Sequence, residues 1–257
     1  MTATAPTQPA RYPSTTTPSR ARGIRLVIFR VVMLLVALMH FVAFGAWRAA
    51  LAPWVTFPDE TEHGWDRTPE LHRLADGAAG AIFVAITVVA LVLAVHPLRR
   101  SGLMTWLLAA LTVTGAFSWL SAVLQGHDGV LSMVAFSVVW VALVAAVLLW
   151  LHPEGHLVLR GGTADSSAPS RTLAMVLYAV AGLSLAAALA AVVWRAAGGV
   201  FESPHEDDVL SLAYFGLLWA VGGVLSARAR QGWPVLAAVT LLGAVYAVAV
   251  SVSLAWA

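Results

Sequence analysis

Residues 99–124 read RRSGLMTWLLAALTVTGAFSWLSAVL: two arginines, then 24 residues from Ser101 to Leu124 without a charge. At 1.5 Å per residue a helix of that length reaches about 36 Å, enough to cross the roughly 30 Å hydrocarbon layer of a bilayer. The next charge along the chain, Asp128, is negative. Arginine-rich connections stay on the cytoplasmic side of a membrane, so such a run is oriented as well as inserted.

The pattern recurs through the chain. Apolar runs have approximate limits 24–50, 73–95, 102–124, 129–151, 172–195, 208–226 and 233–255. Cutting the sequence at these runs sorts its charges into two sets. One set comprises the N-terminal tail with Arg25 and Arg30, and the connections 96–101, 152–171 and 227–232. It holds 11 of the 15 arginines and only two acids, Glu154 and Asp165. The connections 51–72, 125–128 and 196–207, with the run ends beside them, hold the other 11 acidic residues. The residues therefore predict an all-α integral membrane protein of seven transmembrane helices, N-terminus cytoplasmic and C-terminus extracytoplasmic. Residues 1–22, rich in Thr, Pro, Ser and Ala, are expected to be a disordered basic cytoplasmic tail, and 23–257 the transmembrane domain.

Composition agrees with that class. Hydrophobic residues make up 60% of the chain and charged residues 11%, against roughly 25% charged in a soluble domain. Lysine is absent and alanine abundant, which reads as the codon bias of a GC-rich bacterial genome and places the chain in a bacterial cytoplasmic membrane. Without cysteine there is no disulfide, thiolate metal site or thiol nucleophile. The basic residues flank apolar runs, where they meet anionic lipid on the cytoplasmic leaflet rather than nucleic acid. Tryptophans near run ends (Trp47, Trp54, Trp106, Trp150, Trp194, Trp233, Trp256) are expected in aromatic belts. The first run is longer than the 7–15 apolar residues of a signal peptide and is expected to remain as an anchor.

Trp47-Arg48-Ala49-Ala50 closes the first run and Trp194-Arg195-Ala196-Ala197 the fifth, each followed by an acidic connection, a run, and a short connection with two arginines. Two readings of this are open: a parallel 3+1+3 repeat, as in some transporters, or convergent placement of Trp and Arg at an interface.

His40 lies about midway between Arg30 and Arg48 and is the deepest ionisable residue of these runs. Intramembrane histidines relay protons, bind ligands or hydrogen-bond a neighbouring helix. Thr112, Thr114, Ser118, Ser121 and Tyr246 are candidate structural partners. A second constellation surrounds the start of the second run, where His72 and Asp76 fall one helical turn apart, followed by Gly77 and Gly80, which permit close approach. His40, Arg48, His72 and Asp76 are the candidates for a substrate or proton pathway. His63, His72, Asp76 and His205 are weak candidates for a metal, since imidazole and carboxylate suit divalent ions but no motif such as HExxH is present. Asp207 and Asp208 are accounted for as helix-dipole partners. His152-Pro153-Glu154-Gly155-His156 reads as a flexible loop.

A retinal protein needs a lysine, and the Gly-x-Ser-x-Gly, Walker A, Gly-x-Gly-x-x-Gly and Cys-x-x-Cys-His motifs are all absent. No nucleophile–base pair points to an enzyme, and no cofactor is strongly implied. The preferred reading is a permease-like transporter of a small polar or cationic solute with an outward-facing polar vestibule. One alternative is a non-catalytic assembly factor, scaffold or accessory subunit, packing through Gly216, Gly222 and Gly223 against a membrane-protein partner or a second copy. The other is a haem-dependent redox protein with His40 and His72 as axial ligands.

Overall fold

The computed structural model describes residues 20–55, 70–124, 130–152, 154–198 and 208–256. Among these the chain is helical: α1 (Arg20–Leu38), α2 (Ala46–Leu51), α3 (Glu70–Val95), α4 (Ser101–Leu124), α5 (Val130–Leu151), α6 (Gly155–Val158), α7 (Arg171–Ala196), α8 (Asp208–Ala227) and α9 (Trp233–Ala255). Among the described residues six helical stretches are long and apolar enough to cross a membrane: Gly23–Ala43, Glu70–Val95, Ser101–Ser121, Arg171–Ala196, Asp208–Ala227 and Trp233–Ala255. In α5 the described apolar part is shorter, Val141–Leu151.

Hydropathy starts and stops these helices, and local chemistry sharpens their ends. Ser170 caps α7, its Oγ accepting from the Leu173 N–H at 3.2 Å. Gly232 takes a left-handed φ of 90° immediately before α9, and Pro234 follows in the first turn, where a missing N–H is harmless.

Two helices form the centre. The most apolar stretches of α3 and α8 are 61% and 67% buried, against 17% for α7. Small residues let neighbours approach them closely. A Cβ on Gly216 would lie 2.5 Å from the Ser184 carbonyl oxygen of α7, and one on Gly223 would lie 2.7 Å from that of Leu177. Gly222 faces Thr240 of α9 and the Trp106 indole of α4. This small-residue face is therefore covered within the chain and is not available for a lateral partner. Trp106 is fully buried, donating from Nε1 to the Leu218 carbonyl at 3.1 Å, so it belongs to the core and not to an aromatic belt. Trp47, Trp54, Trp150, Trp194 and Trp256 are exposed. The outward faces of α1, α7 and α9 carry leucine and valine such as Leu183, Val193 and Leu242, the surface expected of lipid-facing helices.

The first apolar run is not one helix. After α1 the backbone widens into a π-helical turn, Met39–Ala43, and then breaks at Gly45, whose φ is +60°. The short α2 resumes beyond the break and lies on α3. A Cβ on Gly80 would collide with the backbone of Ala49 and Ala50, and one on Gly77 would lie 2.6 Å from Pro53 Cγ. The apolar run 24–50 hides this break because a single glycine leaves hydropathy almost unchanged.

At the opposite end from α2, three arginine-bearing connections are tied together. Gly102 N–H donates to the Gln231 carbonyl (3.1 Å), Gln231 N–H to that of Thr163 (2.9 Å), and Asp165 N–H to that of Ala229 (2.6 Å). Ser101 Oγ accepts from Thr163 N–H at 3.1 Å and donates to Gln231 Oε1 at 2.9 Å. The connection after α5, expected to be a flexible loop, is thus held in place from Glu154 onward, with α6 as a helical turn. Pro153 lies outside the described residues.

Candidate functional site

The N-terminal ends of α3 and α8 meet at the end of the bundle that carries α2. Placing His72 on the first turn of α3 sets its ring between two carboxylates. Nδ1 is 2.8 Å from Asp208 Oδ1 on α8, and Nε2 is 3.5 Å from Asp76 Oδ2 one turn along α3. The side chains form a graded series in exposure: Asp76 30%, His72 15%, Asp208 1%. The second oxygen of Asp208, Oδ2, is buried with no hydrogen-bond partner among the described residues. A buried carboxylate oxygen without a donor is costly, and such groups concentrate where a proton or ligand completes them.

The wall beside this cluster is rigid for identifiable reasons. Arg73 Nε donates to the Ala52 carbonyl at 3.3 Å and Nη2 to that of Pro53, satisfying acceptors just past the end of α2. Tyr246 of α9 donates to the Ala50 carbonyl at 2.7 Å. Tyr246 therefore serves α2 and not His40. Arg48 sits half-buried on α2.

His40 occupies a different place. It is buried in the π-helical turn, and its Nδ1 donates to the Val36 carbonyl at 2.8 Å, one turn back in its own chain. Phe44 and Phe83 meet its ring edge-to-face, with centroids 5.2 and 5.7 Å away. The structural partner is thus a backbone carbonyl rather than a hydroxyl of another helix. From His72 to Phe83 along α3 is about 16 Å by helical rise, so His40 lies well below the carboxylate cluster. With Nδ1 committed as donor, Nε2 is the atom left to take a proton or ligand.

Of the four pathway candidates, the structure brings His72 and Asp76 together and adds Asp208. By its place in the first turn of α8, Asp208 is a helix-dipole partner; its burial against His72 depends on a neighbour 136 residues away and has no local signal. Among the described residues no group of three or more His, Asp or Glu side chains is arranged to hold a metal ion. The metal candidates His63 and His205 lie outside the described residues, as do Glu60, Glu62, Asp66, His127, Asp128, Glu202, Glu206 and Asp207. Both His72 nitrogens face carboxylates, which argues against the His40–His72 haem pairing.

At the arginine-rich end His152, expected in a flexible loop, is buried beneath Phe29, ring centroids 5.1 Å apart. Burial pushes its imidazole down to about 4, and the nearby Pro97 carbonyl opposes this without hydrogen-bonding Nε2. Nδ1 accepts from the Glu154 N–H at 3.1 Å, so the ring proton is on Nε2.

No protein-family model, curated protein or solved structure matches this chain.

Proposed function

We propose that the chain is a seven-span protein of a bacterial cytoplasmic membrane, with its arginine-rich end in the cytoplasm, and a permease-like transporter of a small polar or cationic solute. The observation that carries this reading is the Asp76–His72–Asp208 series. It runs from a partly exposed carboxylate, through an imidazole, to a buried carboxylate with one unfilled oxygen. An imidazole accepts a proton on one nitrogen and releases it from the other, and an anionic oxygen in apolar surroundings attracts a cation. Arg48 is carried by α2 at the same end of the bundle, and His40 is a further group beside the break in the first span. Discontinuous helices commonly mark the substrate sites of transporters.

Two features favour the 3+1+3 repeat. The central helices α3 and α8 each begin with an acidic residue, and each is packed by the helix that precedes it. The connections that follow them each hold a non-glycine residue with positive φ, Arg99 at 55° and Ala229 at 49°. The first span is broken near Trp47 whereas α7 runs unbroken through Trp194, so a duplication has diverged at this point.

The test is flux in proteoliposomes loaded with a pH-sensitive dye and exposed to methylammonium as a small cationic probe. Uptake coupled to a pH change is expected for the wild type, with Asp208→Asn and His72→Gln each reducing it at least about tenfold, the loss of one charged hydrogen bond. Wild-type rates in Asp208→Asn would remove the assignment. A reporter active only outside the cytoplasm, fused after α9, checks the orientation; activity only in a cytoplasmic reporter there would reverse it.

A further inference from the structure

The tied connections at the arginine-rich end line an open cavity, separate from the α3–α8 cluster. Its volume is about 610 Å³, and its polar wall comprises His96, Arg99, Arg100, Asp165, Ser166 and Gln231. The donors and acceptors of that wall are unbalanced. Neither guanidinium has an acidic partner among the described residues. The Gln231 oxygen accepts from Ser101 Oγ, which directs the two N–H donors of its amide elsewhere. The one carboxylate, Asp165, already accepts through Oδ1 from Ser167 N–H at 3.2 Å, Ser167 Oγ at 3.2 Å and Ser166 Oγ at 3.4 Å. Helix α4 begins at Ser101, immediately after the two arginines, and adds the partial positive charge of its N-terminus.

Arg99 stands in an unusual backbone state. Its φ of 55° is one that glycine adopts freely and other L-residues adopt at a cost of about 1–2 kcal/mol. Its own N–H donates to Glu154 Oε1 at 3.3 Å, which helps hold that conformation. Glycine would fit the turn better, yet the position carries a guanidinium that borders the cavity.

We propose that this cavity binds a phosphate group, gripped by the guanidinium groups of Arg99 and Arg100 with the Gln231 amide as a further donor. Two adjacent guanidinium forks match the oxygens of a phosphate, and the cavity holds more than a bare carboxylate. The group can be carried by the headgroup of an anionic phospholipid or by a free phosphate compound, and the recognition chemistry is the same.

The experiment is native mass spectrometry of the full chain released from detergent, titrated with phosphatidylglycerol, with phosphatidylcholine, and with inorganic phosphate as competitor. The wild type is expected to retain phosphatidylglycerol in preference to phosphatidylcholine, or to bind phosphate directly. Arg99→Gly and Arg100→Gln are each expected to weaken that binding about tenfold, as removal of a charged hydrogen bond implies. Arg99→Gly suits the left-handed turn, so its thermal stability should match or exceed that of the wild type, separating lost binding from lost folding. Arg160→Gln, on the same end but outside the cavity, should bind as the wild type does. Displacement of phosphatidylglycerol by millimolar phosphate identifies a free phosphate compound as the occupant, and lack of displacement identifies the lipid headgroup. The proposal is overturned if neither probe binds the wild type or if the cavity variants bind normally. Equal weakening by Arg160→Gln would also overturn it, since the attraction would then belong to the whole face. None of these outcomes depends on transport activity.

Discussion

Acid should loosen this protein through His152. The ring is 1% exposed, packed under Phe29, and its imidazole sits at about 4 in place of the ordinary 6.5. The folded state therefore prefers the neutral ring, while the unfolded chain takes up a proton near pH 6.5. Stability from this source is complete above that value and is lost as pH falls toward 4. A gap of about 2.5 units corresponds to about 3 kcal/mol in full, of which about 2 kcal/mol is gone by pH 5. Asp165 lies in another window: hydrogen bonds led by the Ser167 N–H lower its carboxyl, so its contribution fades only below the ordinary 3.8. The perturbation is His152→Asn, whose side-chain oxygen can take the place of Nδ1 as acceptor for the Glu154 N–H. Thermal unfolding of the full chain in mild detergent at pH 7.5 and pH 5 is the assay. The wild type should lose roughly 4–8 °C more than the variant between the two. Equal acid losses in both would refute the argument.

Three further outcomes follow from contacts described above. Gly80→Ala drives a methyl into the backbone of Ala49 and Ala50 and should cost about 1–3 kcal/mol in thermal unfolding; an unchanged midpoint would mean that α2 does not dock there. Ala229→Gly relieves a φ of 49° and should stabilise the protein by about 1 kcal/mol, whereas a loss would show that the Ala229 methyl contributes more than its backbone costs. A double-mutant cycle of His72→Gln and Asp208→Asn should show a coupling of about 1–3 kcal/mol in unfolding, and additive effects would deny the contact.

The helix limits were largely legible because hydropathy ends where a helix leaves the apolar layer. The expected 73–95 became Glu70–Val95, 172–195 became Arg171–Ala196, and 233–255 became Trp233–Ala255. What hydropathy does not encode is which apolar face meets protein and which meets lipid, since the two environments are alike to a side chain. Trp106 has the position of a belt residue for that reason, although it fills the core. The break at Gly45 was hidden because one glycine among Phe44, Ala46 and Trp47 leaves the run apolar. The candidate site was half legible. His72 and Asp76 share a helix face by their spacing alone, whereas Asp208 joins them only once α8 lies against α3. His40 is buried, but it lies near the end of the helical stretch Gly23–Ala43 rather than at its middle, and its partner is a carbonyl of its own chain, which residue type does not reveal.

The hydrogen bonds among residues 99–102, 163–165 and 229–231 have a mechanical consequence. They fasten one end of the bundle, so any tilt of a helix about that end is magnified at the other, and the tied connections behave as a fulcrum. A helix of 26 residues such as α3 is about 39 Å long. Tilted by about 5° on that fulcrum, it carries its far end sideways by about 3 Å. That displacement is comparable to the 2.8 Å separating His72 from Asp208. A small rotation at the pinned end is enough to part the imidazole from the buried carboxylate.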